Sequence, residues 1–275
     1  MDTLTADQVV ADAIEAARAV FGAEIEAIYT IGSLAHGGFA PLVSDVDVAI
    51  ILASMSPDTA DRIASVHGRV VEKASSPLSA HLSLFWADWQ AVRTGEGDNY
   101  RLGPVDRLDL LDFGRLLLGA DLREPSVRPS HHELVLMSAD FILSKFTESY
   151  LDALRDTRAL IARGPRAVTK AILFPVRFIH TLRTGRIGLN ESSARSYAEE
   201  GAPGSVLALK ALEWRNDGID DVDHAVHMLD VDLPTLHAEC LDEYAKELER
   251  LGETPRAAAL ADRAAWFDAG VLDPR

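Results

Sequence analysis

Asp45 and Asp47 stand two residues apart in the stretch "SDVDVAIIL", a spacing that on a strand sends both carboxylates out of one face. Two acids held that way repel, and a divalent cation is their natural neutraliser. Hard oxygen ligands suit Mg²⁺, which takes one or two carboxylates and completes its shell with water and substrate phosphates. Just upstream, "YTIGSLAHGGFA" brings an apolar run to Gly32-Ser33. A glycine there lets the backbone approach closely, and the serine hydroxyl with nearby N–H groups can hold phosphate oxygens. Ser44, directly before the acid pair, joins Gly32 and Ser33 as a candidate nucleotide contact. A phosphate cradle beside a metal-holding acid pair suits nucleotidyl transfer, in which positioning and electrostatic stabilisation do most of the catalysis. The plain alternative is two turn residues and a strand-end acid pair. Their fixed placing between two apolar strands favours the chemical reading.

The elements that must position these residues are legible from periodicity. Thr5 and Gln8 read as a capping box opening a helix that runs to Gly22. "EIEAIYTI" and "VDVAIILA" read as strands too apolar for a surface position. In the second of them Val46, Val48, Ile50 and Leu52 face away from the acids into the core. Ser56-Pro57 begins a helix reaching about Lys73. "SAHLSLFW" alternates Ser79, His81 and Ser83 against Ala80, Leu82 and Leu84, the period of a third strand. A short helix over Asp106–Phe113 stops at Gly114, and "RLLLG" reads as a brief edge strand.

The character changes near "LREPSVRPSHH", whose two prolines and Ser-His-His cluster mark a linker. Beyond it the pattern is helical. Apolar residues recur at helical spacing from His132 to about Ala162, and "PRAVTKAILFPVRFIHTLRTG" is a helix closed by Gly185, with a kink expected at Pro175. "ESSARSYAEEG", "GSVLALKALEWRNDG", "DDVDHAVHML" and "LPTLHAECLDEYAKELERLG" complete a helical array.

Gly-Ser, eleven intervening residues and then Asp-Val-Asp on an apolar strand resembles the signature of the polymerase-β-type nucleotidyltransferase superfamily. Within it, "GSLAHGGFAPLVSDVDVAIIL" is most similar to the aminoglycoside (streptomycin/spectinomycin-type) adenylyltransferases. "LLLGADLREP" resembles the end of that family's catalytic domain, and "RFIHTLRTGRIGLNESSARSYA" resembles a helix–TG–helix segment of its helical domain. The resemblance implies an α+β fold: a nucleotidyltransferase-type mixed sheet with flanking helices over residues 1–125, then an all-helical, substrate-side domain over residues 126–275. It also implies ATP, Mg²⁺ and transfer of AMP to a hydroxyl of an acceptor lying between the two domains. Gly32 and Ser33 would hold the triphosphate, Asp45 and Asp47 the metal. Arg177 matches a family arginine that contacts the nucleotide phosphates, whereas a nearby family lysine aligns with Asn190.

One departure stands out. The superfamily usually places a third acid on the next strand, as metal ligand or as base for the acceptor hydroxyl, and "SAHLSLFW" carries no Asp or Glu. Three readings stay open. A neutral His81 could accept the proton; a carboxylate from the helical domain could close over the site; or the protein binds nucleotide without transferring it, as a sensor. Transfer to a protein partner is a further alternative. His81 also has a bland reading as a hydrogen-bonded residue on a partly covered strand.

Net charge of −16 bears on partners. Residues 1–125 carry 19 acids against 9 Lys/Arg and residues 126–275 carry 24 against 18, so neither half offers the basic groove that long nucleic acid requires. A small, cationic acceptor is easier to reconcile with this balance. The N-terminal segment is acidic and amphipathic and predicts no signal peptide. One cysteine, Cys240, allows no intrachain disulfide, and no apolar run approaches the roughly 20 residues needed to span a bilayer. A cytoplasmic protein is expected, and its oligomeric state is open. The acid-rich "NDGIDDVDHAVHMLDVD" lacks the ligand spacing of an EF-hand and reads as a turn with helix caps. His224 and His227, at i and i+3, and His131-His132 lack a third ligand in the sequence. Trp86 and Trp89 read as core residues, although Trp89 could reach a base or sugar at the site mouth.

Overall fold

The apolar, β-branched runs at Ile25–Ile31 (β1) and Val46–Leu52 (β2) pair antiparallel at the centre of a four-stranded sheet, with Ile28 opposite Ile50 and Ile31 opposite Asp47. The computed structural model describes residues 3–270. Leu82–Ala87 (β3) lies parallel to β2, and Arg115–Gly119 (β4) lies antiparallel to β1, giving the order β3-β2-β1-β4. Parallel neighbours need a crossover, and the helix Thr59–Lys73 supplies it between β2 and β3. In chain order the helices of this part are α1 (Thr3–Phe21), the one-turn α2 (Gly32–Ala35), α3 (Thr59–Lys73), α4 (Trp89–Thr94) and α5 (Pro104–Phe113).

Strand alternation divides the sheet into two faces. Ile28, Val46, Val48, Ile50 and Leu52 pack with Val9, Ala13 and Ala17 of α1 and with Ile63, Val66 and Val70 of α3. Ala27, Tyr29, Ile31, Ala49 and Ile51 face the other way and pack with Ala91 and Val92 of α4 and Leu110 of α5. Each fully buried aliphatic side chain of this kind contributes roughly 1.5–3 kcal/mol. The acid pair shares its face with the second set, so α5 is the helix laid over it.

Several local expectations are corrected. Helix α1 is already under way at Thr3, so Thr5 sits inside it and caps nothing. Helix α3 starts at Thr59; Ser56 lies in the preceding turn, donating its N–H to Thr59 Oγ1 at 2.9 Å. The third strand begins only at Leu82, because Pro77–His81 forms a 3₁₀ turn capped by Ser76, whose Oγ accepts the Leu78 N–H. A proline in the first turn favours that helical start over an extended one. Ser79 and His81 therefore leave the strand, and only Ser83 stays on it.

The contacts group the chain into two units, one ending at Pro129 and the other beginning at Ser130. The second unit is helical throughout its described residues: α6 (His131–Lys145), α7 (Glu148–Arg155), α8 (Thr157–Ala162), α9 (Pro165–Thr184), α10 (Asn190–Glu199), α11 (Ser205–Asp217), α12 (Val222–Arg250) and α13 (Thr254–Gly270). Ser130 opens it with a full capping box: Ser130 Oγ accepts the Glu133 N–H at 3.2 Å and Glu133 accepts the Ser130 N–H at 2.8 Å. The helical pattern over residues 132–162 resolves into three helices, because Thr147 and Asp156 interrupt it as N-caps. Conversely, "DDVDHAVHML" and "LPTLHAECLDEYAKELERLG" join into one helix, α12, that continues through Pro234. Helix α9 likewise continues through Pro175 and ends at Gly185, left-handed at φ +65°.

Candidate functional site

Gly32 sits where β1 turns into α2, left-handed at φ +65°, a conformation that favours glycine. Space demands it as well, because a Cβ at this position would press into the Asp47 carboxylate. The Gly32 N–H donates to Asp109 Oδ2 at 2.7 Å. Ser33 follows, half-buried, in the single turn of α2. At the other end of the loop Ser44 is buried, its Oγ accepting the Ala40 N–H at 3.0 Å while its own N–H donates to the Ala40 carbonyl at 2.8 Å. Ser44 thus closes the turn that delivers Asp45, which stands immediately before β2.

Asp47 lies within β2, across from Ile31 on one side and from Ser83 of β3 on the other. Its carboxyl is pushed up to about 7, first by burial and then by the charges of Asp45, Asp109 and Asp106; a hydrogen bond with Ser83 works in the opposite direction. Like charges crowd this carboxyl, and the physical remedy is a cation.

His81 is the last residue of the 3₁₀ turn and is half-buried. The next residue, Leu82, pairs with Val46, the residue that follows Asp45. Arg177 belongs to the helical unit. It is half-buried on α9, and its Nε donates to the Gly188 carbonyl at 2.7 Å. Gly188 lies so close to the Arg177 backbone that a Cβ there would overlap it, and its N–H donates to Thr181 Oγ1 at 3.1 Å. These contacts fix Arg177 to the return of the chain toward Asn190, the first residue of α10.

Sequence reasoning missed Asp106 and Asp109. Both stand on α5, three residues apart and hence on neighbouring parts of one helix face. Asp109 is only 8% exposed, and an acid that deep is uncommon without partners. The signal in "GPVDRLDLLDF" was three acids, Asp106, Asp109 and Asp112, at successive i+3 spacing. The further acids beside Asp47 come from a helix and not from the next strand. Arg107 between them is 2% exposed and donates to the Val127 carbonyl at 2.6 Å, which ties α5 to the chain leaving the sheet.

Asp45 and Asp47 present the hard oxygen pair that Mg²⁺ accepts, and the charge crowding at Asp47 fits a cation there. Among the described residues no group of three or more His, Cys, Asp or Glu is placed to hold a metal by itself. A cation at this pair would thus complete its shell with water and substrate phosphates.

The other features have structural duties. Trp89 lies edge-on to Tyr29 at 6.4 Å, and Trp86 Nε1 donates to the Asn99 carbonyl at 2.7 Å. Asp221 caps α12 by accepting the His224 N–H at 2.9 Å, Asp230 accepts from Thr157 at 2.7 Å, and His131 Nε2 lies 2.9 Å from Glu247. Cys240 is buried. Among the described residues no helix is long and apolar enough to cross a membrane.

The mixed sheet with flanking helices and the helical second unit make an α+β fold of the nucleotidyltransferase type. The chain is similar in structure to spectinomycin adenyltransferase AAD(9) from Enterococcus faecialis, whose crystal structure was solved with ATP and spectinomycin. The match has a TM-score of 0.55 at 14% sequence identity and covers 82% of this chain and 98% of that one. At that identity the likeness speaks for the fold. No protein-family model matches the chain, and neither does any curated protein.

Proposed function

We propose that the protein transfers a nucleotidyl group, AMP from ATP, to a hydroxyl of a small cationic acceptor of the aminoglycoside class, in the cytoplasm. The carrying observation is the Gly32 turn set against Asp47 across the β1–β2 pair. The Gly-Ser turn against the Asp47 carboxylate supports reading that turn as a phosphate cradle beside a metal-holding acid. The fold likeness to an adenyltransferase solved with ATP and spectinomycin supports the same reading.

In this reading Gly32 and Ser33 receive the triphosphate oxygens, and Asp45 and Asp47 hold Mg²⁺. When bound, the cation would offset the charge of the phosphates and assist departure of pyrophosphate. In the same reading His81 accepts the proton of the acceptor hydroxyl, since a neutral imidazole is a capable base near neutral pH. Arg177 is, by the resemblance, the residue expected to meet the nucleotide phosphates. The surplus of acids in both halves suits a cationic acceptor.

A second reading, a nucleotide-binding regulatory protein, is favoured by one feature: β3 offers Ser83 and no carboxylate. A pyrophosphate-release assay with Mg-ATP separates the two. Release stimulated by spectinomycin, streptomycin or a related aminoglycoside, and abolished in Asp45→Asn, supports transfer. Mg-ATP binding with no release against the whole panel supports the regulatory reading.

A further inference from the structure

Asp109 has no counterpart in the expected signature, yet it holds the most exacting hydrogen bond of the site. Its role in nucleotide entry rests on the nucleotide-binding reading of that site. Three observations meet at Gly32. Its left-handed backbone has no room for a side chain, because Asp47 fills that space. Its N–H, the first donor of the Gly-Ser turn, points at Asp109 Oδ2 at 2.7 Å. Asp109 itself comes from α5, a helix anchored by the Arg107 guanidinium on the Val127 carbonyl and by Leu110 in the core beneath the sheet. The turn is therefore clamped between two carboxylates, one in the sheet and one on the helix over it.

A carboxylate on the Gly32 N–H occupies a donor that a phosphate oxygen would otherwise take. It also adds a negative charge beside the place where a triphosphate must sit. Both effects oppose entry of a bare nucleotide, and a divalent cation relieves the second. We infer that Asp109 is a positioning residue of the nucleotide site, holding the Gly32-Ser33 turn in its left-handed form and making triphosphate entry depend on a divalent cation. Asp109 acts through Gly32 and through its charge, touching neither the reacting phosphorus nor the acceptor.

Two substitutions separate the two parts of this role. Asp109→Asn keeps an oxygen that can accept the Gly32 N–H but removes the charge; Asp109→Leu removes both. In glycine-labelled protein the Gly32 amide signal stays near its wild-type shift and stays protected from solvent exchange in Asp109→Asn. In Asp109→Leu it moves and loses protection. Titration with ATP in EDTA, and again with Mg²⁺, gives the second readout. Removing a like charge at this range is expected to tighten metal-free ATP binding by about tenfold in Asp109→Asn and to shrink the gain from Mg²⁺ correspondingly. Asp109→Leu, with the turn released, binds Mg-ATP about tenfold more weakly than wild type.

A Gly32 amide indifferent to Asp109→Leu in protein that still melts cooperatively would overturn the inference. So would an unchanged Mg²⁺ requirement in Asp109→Asn. Wild-type protein that binds no Mg-ATP sinks the nucleotide-binding reading and with it the cation dependence, while the amide signal still decides the clamp on Gly32.

Discussion

Two ionisable side chains, one in each unit, are displaced in opposite ways. Asp47, in the sheet, is raised to about 7 by burial and by three neighbouring carboxylates. His237, in the helical unit, is wholly buried and lowered to about 3, chiefly by burial. Its ring stacks on Phe267 at 5.6 Å and meets Phe146 edge-on at 5.4 Å. Neither ring nitrogen makes a hydrogen bond of normal geometry; the polar group acting on it is the Ala171 backbone. That carbonyl is four residues before Pro175 and so lacks its helical N–H donor.

The difference separates a site from a core. His237 lies among aromatic rings with Lys145 as the charge acting on it, and its polarity answers a local defect in α9. Asp47 is surrounded by charge of its own sign, an arrangement that a proton or an incoming cation relieves. Asp12 shows that the same unit can bury an acid quietly: burial opposes its ionisation, but Lys73 at 2.7 Å, Ser75 and Gln8 hold it below the usual carboxylate range.

The largest effect that would sharpen this contrast is on turnover. The double substitution Asp45→Asn/Asp47→Asn is expected to reduce nucleotidyl transfer by about 10²-fold or more, read as pyrophosphate release, while the protein stays folded. Next comes Gly32→Ala, which places a Cβ against Asp47 and forces a non-glycine residue into a left-handed backbone. It should cost roughly 2–3 kcal/mol in chemical denaturation and abolish Mg-ATP binding.

His237 governs the third prediction. Its folded-state value lies below the ordinary 6.5, so the unfolded chain takes up the proton first and stability falls as pH drops from about 6.5 toward 3. The slope is about 1.4 kcal/mol per pH unit for this one group. His237→Leu should remove that share of the acid limb and leave stability at pH 7.5 within about 1 kcal/mol. Denaturation series between pH 4.5 and 7.5 on both proteins read it.

The smallest effect belongs to Asp47 and has the opposite sign. Its folded-state value lies above the ordinary 3.8, so its contribution to stability is present at low pH and is lost as pH rises through about 7. In metal-free protein Asp47→Asn should therefore be more stable than wild type at pH 8 by about 1 kcal/mol, allowing for solvent at this half-buried group. The gain should vanish by pH 4. Equal stability of the two proteins at pH 8 would mean the crowding at Asp47 is already relieved within the chain.

Much of the sheet was legible because β1 and β2 are near-continuous apolar runs, and the Gly-Ser/Asp-x-Asp spacing marks where their ends meet. The beginning of β3 was not legible: the alternation at Ser79 and His81 imitates a strand, while Pro77 starts a 3₁₀ turn. Proline also misled at Pro234, where α12 runs on because Leu233, Leu236 and His237 are buried on either side of it. Asp106 and Asp109 were hidden for a different reason. Their role follows from the packing of α5 on the face carrying Asp47, and no local pattern in "VDRLDLL" announces which face of the helix turns inward.

Calorimetric titration of ATP, with and without Mg²⁺, on wild type and on Asp45→Asn/Asp47→Asn tests the central claim most directly. Binding that requires Mg²⁺ and is lost in the double variant is the predicted result. Binding of equal strength with or without the cation, or undiminished in the double variant, would contradict it.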